Sequence, residues 1–410
     1  MLVIKNTNVI PMTQESVLKN QTVIIENGKI KSINNFNESI NYANAQIIDG
    51  TDKYIMPGLF DMHVHLNTSE LMDLLFANGV TSIRNMWGFP IQLEWKEKIK
   101  KGEKIGPYIY TTGPLTDGVM YWEGSYIVTT PEEAEKAVDE CMELGYDYFK
   151  TYPSIPREAF IRLMEYAKEK GLKVVGHLPA NVSVDEMISL GYYSLEHSNQ
   201  LPDNNDEIIK IAKSGMWLCP TQAVVKTIYD FVYHSHLNKD MTKIPYYEYV
   251  NPIDQKEWAE ITEWRRAKPK YQDPKKDIED DNNKVRLFMK YSDKILLGAD
   301  TPNPGVIAGF SIHDELESMV NDFGMTAYES IKTGTVNAAL CLGIEDQKGK
   351  LKEGMDSDIL ILDSNPLEDI TNSRKIFGVV QGDRFFDRNS LNNILENVKN
   401  LKTEDIIKVY

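Results

Sequence analysis

The chain has 410 residues, enough for one large domain with a smaller one beside it. Hydrophobic residues form 42% and charged residues 26% of the sequence, which are ordinary proportions for a globular protein. The formal net charge of −16 argues against nucleic acid or an anionic membrane as a partner, because both would repel an acidic surface.

The spacing of the cysteines and the lack of long apolar runs indicate the cellular compartment of the protein. Cys141, Cys219 and Cys341 are too widely spaced for a disulfide framework or a zinc finger, which suits a reducing environment. No run approaches the roughly 18 apolar residues of a membrane span. The opening MLVIKNTNVIPMTQ lacks the apolar stretch of a signal peptide. We therefore expect a cytoplasmic protein that does not enter a membrane.

Both ends of the chain show the alternating apolar and polar pattern of β-strands. LVIKNTNVI and QTVIIENGKIKSIN lie at the start, and the Asn27-Gly28 step predicts a tight hairpin turn. Near the other end, SDILILD predicts a strand, and FGVVQGDRFFDR predicts a hairpin that turns near residues 381–383. Neither end has enough strands for a stable sheet alone. We therefore predict that residues 1–55 and 349–410 pair into one small β-sandwich domain.

Residues 56–348 alternate between strand-like and helical segments. The eight strand-like segments are IMPGLFDMHVH, GVTSIRNM, PYIYTTG, YDYFKTY, LKVVGHL, YYSLEHS, MWLCPT and KILLGAD. Helix signals separate them, such as the Thr130-Pro131 start and the glycines Gly145 and Gly171 at helix ends. Eight such units predict a closed parallel (β/α)8 TIM barrel. The alternative is a doubly wound sheet, but no glycine-rich phosphate loop follows any strand.

Residues 225–290 interrupt this alternation. The segment is too long for a connection between a strand and a helix, and it is rich in tyrosine, tryptophan and charge. It is either a mostly helical insertion on the catalytic side that acts as a lid, or a surface elaboration without catalytic use. The sequence weighs the two equally. His234 and His236 repeat a His-x-His spacing, but their polar surroundings favour solvent or lid contacts over metal binding.

Six candidate functional side chains lie at the predicted C-terminal ends of barrel strands, where functional residues of such barrels project. His63 and His65 are two residues apart, so both imidazoles point to one face and can chelate a divalent metal. The other four end the fourth, fifth, sixth and eighth strands. They are Lys150, His177, His197 and Asp300.

Longer motifs around these residues resemble the amidohydrolase superfamily. PGLFDMHVH is similar to its opening metal motif. VVGHLP, SLEHS and GADTPNPG, followed by HDELESMV, resemble its imidazolonepropionase-like and metal-dependent Xaa-Pro dipeptidase-like branch. TGTVNAALCLGIEDQKGKLKEGMDSDILILDSNPLEDI resembles the segment in which that branch leaves the barrel. The resemblance covers nearly the whole chain, but the branch has divergent substrates, so no substrate follows from it.

The resemblance implies metal ligands and cofactors. His63, His65 and Asp300 would bind the more buried metal, and His177 and His197 would bind a second. The expected cofactors are two divalent ions. Zn²⁺ is the first candidate, and Mn²⁺, Co²⁺ and Fe²⁺ are the alternatives.

Lys150 matches the lysine that reacts with CO₂ in binuclear members to give a carbamate bridging both metals. The chemistry agrees, because a desolvated lysine has a lowered pKa and is nucleophilic. Two divalent cations would also stabilise the anionic carbamate strongly.

The implied function is metal-dependent hydrolysis of a C–N bond, an amide or peptide bond, in a small molecule or dipeptide. A metal-bridging hydroxide would attack, with Asp300 as general acid and base. A hydrolytic deaminase, a lactonase or phosphoester hydrolase, and a non-catalytic binding barrel are the alternatives. Complete occupancy of the six positions disfavours the last. A homo-oligomer is compatible with the sequence, which does not fix the oligomeric state.

Two departures from the branch affect these implications. Arg84-Asn85 stands where the branch often has Arg-Asp, which puts the hydrogen-bond network behind the metal ligands in doubt. The loop TDGVMYWEG replaces the Gly-His-Gly-type loop of several dipeptidase-like members, which weakens any transfer of peptide specificity.

Five further side chains are predicted to contact substrate. Tyr152 faces the same side of its strand as the lysine two residues before it. Three aromatic residues follow the second and third strands and are candidates for a pocket wall, and a histidine begins a helix after the eighth strand. These four are Trp87, Tyr121, Trp122 and His313, the last after a Ser311-x-x-Asp314 step that resembles a capping box.

Overall fold

The computed structural model describes residues 1–40, 42–120, 122, 124–229, 240–266 and 273–409. Its strands are β1 Leu2–Val9, β2 Leu18–Glu26, β3 Lys29–Asn35, β4 Gln46–Asp49, β5 Tyr54–Pro57, β6 Leu59–Val64, β7 Val80–Asn85, β8 Tyr108–Thr111, β9 Thr116–Asp117, β10 Tyr126–Ile127, β11 Tyr148–Thr151, β12 Lys173–Gly176, β13 Ser194–Glu196, β14 Trp217–Cys219, β15 Ile359–Leu362, β16 Ile376–Gln381 and β17 Arg384–Asp387. Its helices are α1 Leu71–Ala77, α2 Pro90–Lys100, α3 Pro131–Leu144, α4 Arg157–Lys170, α5 Val184–Leu190, α6 Asn205–Lys213, α7 Gln222–Lys226, α8 Pro252–Arg266, α9 Pro274–Met289, α10 Ser311–Asn321, α11 Ala327–Thr333, α12 Val336–Leu342 and α13 Arg388–Lys399. Within these ranges, no helix is both long and apolar enough to cross a bilayer.

The two ends of the chain form one mixed sheet, which confirms that they pair with each other. The strand order is β17-β16-β15-β5-β1-β2-β3, and β4 also pairs with β1. β1 pairs with β4 over Leu2–Lys5 and with β5 over Asn8–Val9, so the sheet divides along this strand. The predicted hairpin joins β2 to β3 through Asn27 and Gly28, both with positive φ. The domain boundaries after residue 55 and before residue 349 stay a prediction.

Eight parallel segments of the described chain close into a barrel between these ends. β6, β7 and β8 form one hydrogen-bonded run, and β11, β12, β13 and β14 form another. Backbone bridges complete the ring, and the extended segment 294–301 is the eighth strand. The bridges are Thr112 with Tyr148, Leu218 with Ile295, and Val64 with Thr301. This ring of parallel segments agrees with the predicted TIM barrel and not with the open sheet of a doubly wound fold.

The barrel helices begin and end where the capping signals predict. Thr130 accepts a hydrogen bond from the Glu133 backbone N–H and receives the reciprocal contact of a capping box at the start of α3. Gly145 and Gly171 end α3 and α4 in the left-handed conformation, which glycine adopts without a Cβ clash.

The predicted insertion contains two helices of different kinds. α9 packs beside α6 and leads into the eighth strand, so it is one of the barrel helices. α8 is the added element. It contacts the loops after β6 and after the eighth strand, both at the C-terminal end of the barrel. It therefore lies on the catalytic side, as the first of the two interpretations predicts. His234 and His236 lie outside the described residues.

Candidate active site

The C-terminal end of the barrel brings five of the predicted side chains into contact. Asp300 Oδ1 lies 3.4 Å from His63 Nε2 and 3.0 Å from His65 Nε2. His197 Nε2 lies 3.1 Å from His177 Nε2, and the His197 and His63 ring centroids are 4.7 Å apart. Ligand atoms of His63, His197 and Asp300 all lie within 4.8 Å of one another. The resemblance assigns His197 to the second metal with His177. In the structure His197 also lies close to His63 and Asp300, which are assigned to the first metal.

Lys150, the sixth residue, lies one position before the end of β11 and is fully buried. Its Nζ has no hydrogen-bond partner among the described residues. Burial lowers the pKa of Lys150 to about 8, although the carboxylates of Glu196 and Asp300 oppose the shift. Tyr152 stacks on His177 with centroids 4.1 Å apart, and Lys150 Nζ is 5.7 Å from the Tyr152 ring. The neutral amine is therefore well populated near pH 8, inside the same cluster.

A buried ion pair fixes the ring of His63. Both oxygens of Glu196 lie 2.8 Å from Arg84 Nη2, and Arg84 Nε donates to the Met62 carbonyl at 2.7 Å. Burial disfavours the charge of Arg84, but the Glu196 carboxylate keeps the pKa of Arg84 above its usual value. Glu196 Oε2 lies 2.9 Å from His63 Nδ1. A carboxylate here assigns the proton to Nδ1, so Nε2 is unprotonated and its lone pair is free to bind a metal on the side of Asp300.

The network behind the ligands therefore forms despite the Arg84-Asn85 departure. Asn85 has a separate structural role, because its side chain forms hydrogen bonds to the loops at the ends of β6, β7 and β8. Its Oδ1 accepts from the Leu66 N–H at 2.9 Å, and its Nδ2 lies 2.9 Å from both the Trp87 carbonyl and Thr111 Oγ1. An amide can accept and donate in this position, whereas an ionised aspartate could only accept.

A second chain of contacts orients His197. Thr221 Oγ1 lies 2.7 Å from His197 Nδ1, which directs Nε2 toward His177. His197 and Thr221 have φ of 72° and 46°, strained values for residues with a Cβ. The buried carboxylate of Glu315 accepts from the N–H groups of Gln222 at 2.9 Å and Ala223 at 2.6 Å, directly after Thr221. Glu315 thus holds the strained turn from the neighbouring α10.

The barrel seam places two acids beside the histidines. Burial would raise the pKa of Asp300, but His63, His65 and His197 hold it well below its usual range. Asp300 therefore remains a carboxylate at neutral pH. Asp61 joins the first and eighth strands, because its Oδ1 accepts from the N–H groups of His63 at 3.2 Å and Ala299 at 3.1 Å.

The donor set fits divalent metal ions. The buried atoms His63 Nε2, Lys150 Nζ and Asp300 Oδ1 have no hydrogen-bond partner in the described part of the chain. Burial holds the pKa values of His63 and His177 well below the usual value and lowers the pKa of His197 to about 4. These imidazoles are therefore neutral, as metal ligands must be. Imidazole with carboxylate suits Zn²⁺, Mn²⁺, Co²⁺ or Fe²⁺.

Aromatic side chains line one side of this cluster. The ring of Trp87 lies 6.2 Å from that of His65 in an edge-to-face arrangement. Trp122 lies 6.2 Å from Trp264 of α8, a residue that the sequence did not single out. Tyr121 lies outside the described residues. Trp122 thus contacts an aromatic residue of the insertion, and the pocket wall expected from Trp87 and Trp122 stays a prediction.

His313 does not fit the expected substrate contact. Its ring is buried, with Nδ1 2.9 Å from Ser373 Oγ and Nε2 3.1 Å from the Asn78 carbonyl. Both nitrogens are engaged, so neither can bind a substrate. The expected capping box is also wrong, because Ser311 Oγ instead accepts from the Ile307 N–H at 2.9 Å. The Ser311-x-x-Asp314 pattern correctly predicted the start of a helix, but it did not predict the direction in which the His313 ring points.

The sequence analysis missed three residues that orient the ligand histidines, Glu196, Thr221 and Glu315. Ser194 and Glu196 are polar residues two apart in a buried parallel strand, so both face one side, and this spacing was an available signal for Glu196. Thr221 and Glu315 had no such signal. Their roles depend on a backbone turn and on a helix that lies far along the chain.

A closed (β/α)8 barrel with histidines, a lysine and an aspartate gathered at its C-terminal end is typical of barrel hydrolases. The model of the Amidohydrolase family matches residues 78–384, so the chain belongs to that family. It is accordingly a hydrolase of carbon–nitrogen bonds. The match begins after the His63-Val64-His65 step.

Individual relatives agree with this assignment. Ochratoxinase of Aspergillus niger is 24% identical over 383 aligned positions, covering 77% of this chain and 71% of that protein. A solved Xaa-Pro dipeptidase with bound methionine has a TM-score of 0.74 at 20% identity, covering 94% of this chain and 99% of the other. Bottromycin amidohydrolase has a TM-score of 0.78 at 20% identity, covering 97% and 90%. These structures share the fold.

Proposed function

We propose that the chain hydrolyses an amide or peptide bond in a small molecule or dipeptide, with two divalent metal ions as cofactors. Family membership supports amide hydrolysis, and similar proteins are named as a dipeptidase and an amidohydrolase. The observation that carries the proposal is the meeting of six side chains at one end of the barrel. Three buried donor atoms among them lack hydrogen bonds in the described chain.

Two sets of side chains would hold the ions. His63, His65 and Asp300 are the ligands of the first, and His177 and His197 belong to the second. When bound, such ions supply Lewis acidity toward the substrate carbonyl and lower the pKa of a water toward about 7. The protein's own contribution is to keep the imidazoles neutral and their rings oriented.

Lys150 would join the two sets after modification by CO₂. Its neutral amine attacks the carbon of CO₂, an N–C bond forms, and one amine proton is released. The product is an anionic carbamate with two oxygens that can bridge the cations. The lowered pKa of Lys150, about 8, supports this step because only the unprotonated amine is a nucleophile.

Asp300 would carry the proton. It is a carboxylate at neutral pH and lies within 3.4 Å of both His63 and His65. As a water oxygen bonds to the substrate carbonyl carbon, Asp300 accepts the water proton. It then gives this proton to the leaving nitrogen as the C–N bond breaks.

Elemental analysis of protein purified without chelator tests the proposal, together with a screen of N-acyl amino acids and dipeptides. We expect two ions per chain and hydrolysis that a chelator abolishes and Zn²⁺ restores. A metal content near zero, with no activity gained from Zn²⁺, Mn²⁺ or Co²⁺, would overturn both the site and the mechanism.

Lys150→Ala tests the bridge separately. The variant should lose the second ion and most activity, and a short carboxylate in solution should restore part of either. Lys173→Ala is the matched control, since this lysine begins a barrel strand at the opposite end. If Lys150→Ala keeps two tightly bound ions and full rate, the bridge assignment is wrong.

A further inference from the structure

The N-terminal end of α8 packs on the loop that follows His65. Asn67 Nδ2 donates to Asp254 Oδ1 at 2.8 Å, and Asn251 Nδ2 donates to Glu70 Oε1 at 2.6 Å. All four side chains are buried. Buried hydrogen bonds to carboxylates are costly to break, so this end of the helix is firmly attached beside the metal-ligand strand.

The other end of α8 contacts the loop that follows Asp300. Arg265 Nη2 donates to Asn303 Oδ1 at 3.2 Å, and Asn303 Nδ2 donates to the Asp300 carbonyl at 2.7 Å. The segment from Asn251 to Arg265, which we call the α8 strap, is therefore attached to the first and the last strands of the barrel. It spans the side of the mouth formed by the first and eighth strands, which carry His63, His65 and Asp300.

Between these attachments, the α8 strap completes an aromatic surface that starts at the metal ligands. Trp87 lies beside His65 and 5.8 Å from Phe89. The loop carrying Trp122 packs over both rings, because a Cβ on Gly124 would lie 3.2 Å from Phe89 and 4.0 Å from Trp87.

The outer end of this surface is open to solvent. Trp264 lies next to Trp122, with ring planes at 53°, and is 40% exposed. Met120 and Val119, in the loop that precedes Trp122, are exposed as well. Exposed apolar side chains that lie together often mark a binding site. The loop of Gly124 connects it to Trp87, which lies beside His65, so the group that this surface would bind belongs to the substrate.

We propose that the α8 strap sets substrate specificity, and that the substrate is an amide with an aromatic group next to the bond that is cleaved. The aromatic group would stack on Trp122 and Trp264 while the amide reaches the cluster. A flat ring fits two tilted indole faces better than a saturated ring of similar size. This inference rests on the proposed function, since it names the substrate class of the same site.

The test compares matched substrates in the metal-loaded enzyme. One pair varies the acyl group, N-benzoyl-alanine against N-cyclohexanecarbonyl-alanine. The other varies the amine, N-acetyl-phenylalanine against N-acetyl-cyclohexylalanine. We expect one pair to show an aromatic preference of about 10-fold in kcat/KM, the scale of an aromatic pair. Trp264→Ala should reduce that preference at least fivefold, mainly through KM, with metal content unchanged.

Tyr291→Ala is the matched control. Tyr291 is an aromatic residue of similar exposure, 45%, but it precedes the eighth strand at the opposite end of the barrel. It should leave the preference unchanged. Equal rates for aromatic and saturated members of both pairs, or a preference that survives Trp264→Ala, would overturn the strap inference while the proposed function stands. No hydrolysis of any N-acyl amino acid or dipeptide would instead overturn the proposed function.

Discussion

Buried acids occur both behind the metal ligands and beneath the α8 strap, and the protein neutralises them differently. Glu196 pairs with the guanidinium of Arg84, so its charge is balanced. Glu70 and Asp254 receive hydrogen bonds from uncharged groups such as Asn251, and no cation pairs with either among the described residues. Burial, with the nearby Glu70 charge, raises the pKa of Asp254 to about 7. The charge of Glu196 is thus balanced by Arg84, whereas the charge of Asp254 depends on pH.

Glu196→Gln should have the largest effect, because it removes the balancing charge. Arg84 would stay buried and charged with one weaker acceptor, which costs about 3–5 kcal/mol of unfolding free energy. The His63 ring would lose its carboxylate, and metal affinity should fall roughly 10–100-fold. Urea unfolding and metal titration measure the two effects.

Glu135→Gln is the control for Glu196→Gln, since it breaks a partly exposed Glu–Arg pair with Arg162 and should cost less than about 1 kcal/mol. If both substitutions cost the same, the buried pair has no special role in the site.

Asp300→Asn alters an acid that is stabilised by histidines. Asparagine keeps an oxygen donor but cannot accept the proton. Turnover should fall by roughly 10²-fold or more while metal is partly retained, and the acidic limb of the pH–rate profile should change. Steady-state kinetics with parallel metal analysis measure this. Near-normal turnover with metal bound would show that another group carries the proton.

Glu315→Gln tests an acid that is held by backbone N–H groups. The new amide NH₂ would face one of the two N–H donors at Gln222 and Ala223, which should cost about 1–3 kcal/mol. Release of Thr221 should also weaken the His197 side of the metal site. Unfolding and stepwise metal titration measure the effects, with Glu317→Gln on the same helix as control. Loss of stability without any change in metal affinity would refute the positioning role.

The buried acids beneath the α8 strap, Glu70 and Asp254, predict that the free energy of unfolding depends on pH. Between pH 3.8 and about 7 the folded Asp254 holds a proton that the unfolded chain releases. The contribution of Asp254 to stability therefore falls as pH rises through this range and is lost above it. The full difference corresponds to at most about 4 kcal/mol. Glu257 adds to the shift although it pairs with Lys408.

Glu70→Gln should flatten this dependence, because it removes one like charge beside Asp254. Melting temperatures measured from pH 4.5 to 8 would show a smaller decline in the variant than in the parent. Glu158→Gln, an exposed change on α4, serves as control. An unchanged slope would mean that the two carboxylates are not coupled.

The sequence predicted much of the barrel and the placement of the candidate ligands, because both depend on local rules. The C-terminal ends of parallel barrel strands lie together regardless of the conformation of the loops. His63 and Lys150 could therefore be placed at that end of the barrel without a structure. Glu196 and the strap contacts could not be predicted, since each depends on a partner far along the chain. His313 was misassigned because sequence gives the start of a helix but not the direction in which its side chain points.

The seam between the first and last barrel strands has a consequence for assembly. The Asp300 N–H donates to the His63 carbonyl at 2.8 Å, and Asp61 accepts from residues on both strands. A chain made from its N-terminus produces His63 early but cannot bring it beside Asp300 until the whole barrel has been synthesised. A nascent or truncated chain would therefore carry a histidine pair without a complete site. Tight metal retention would then report that the ring has closed.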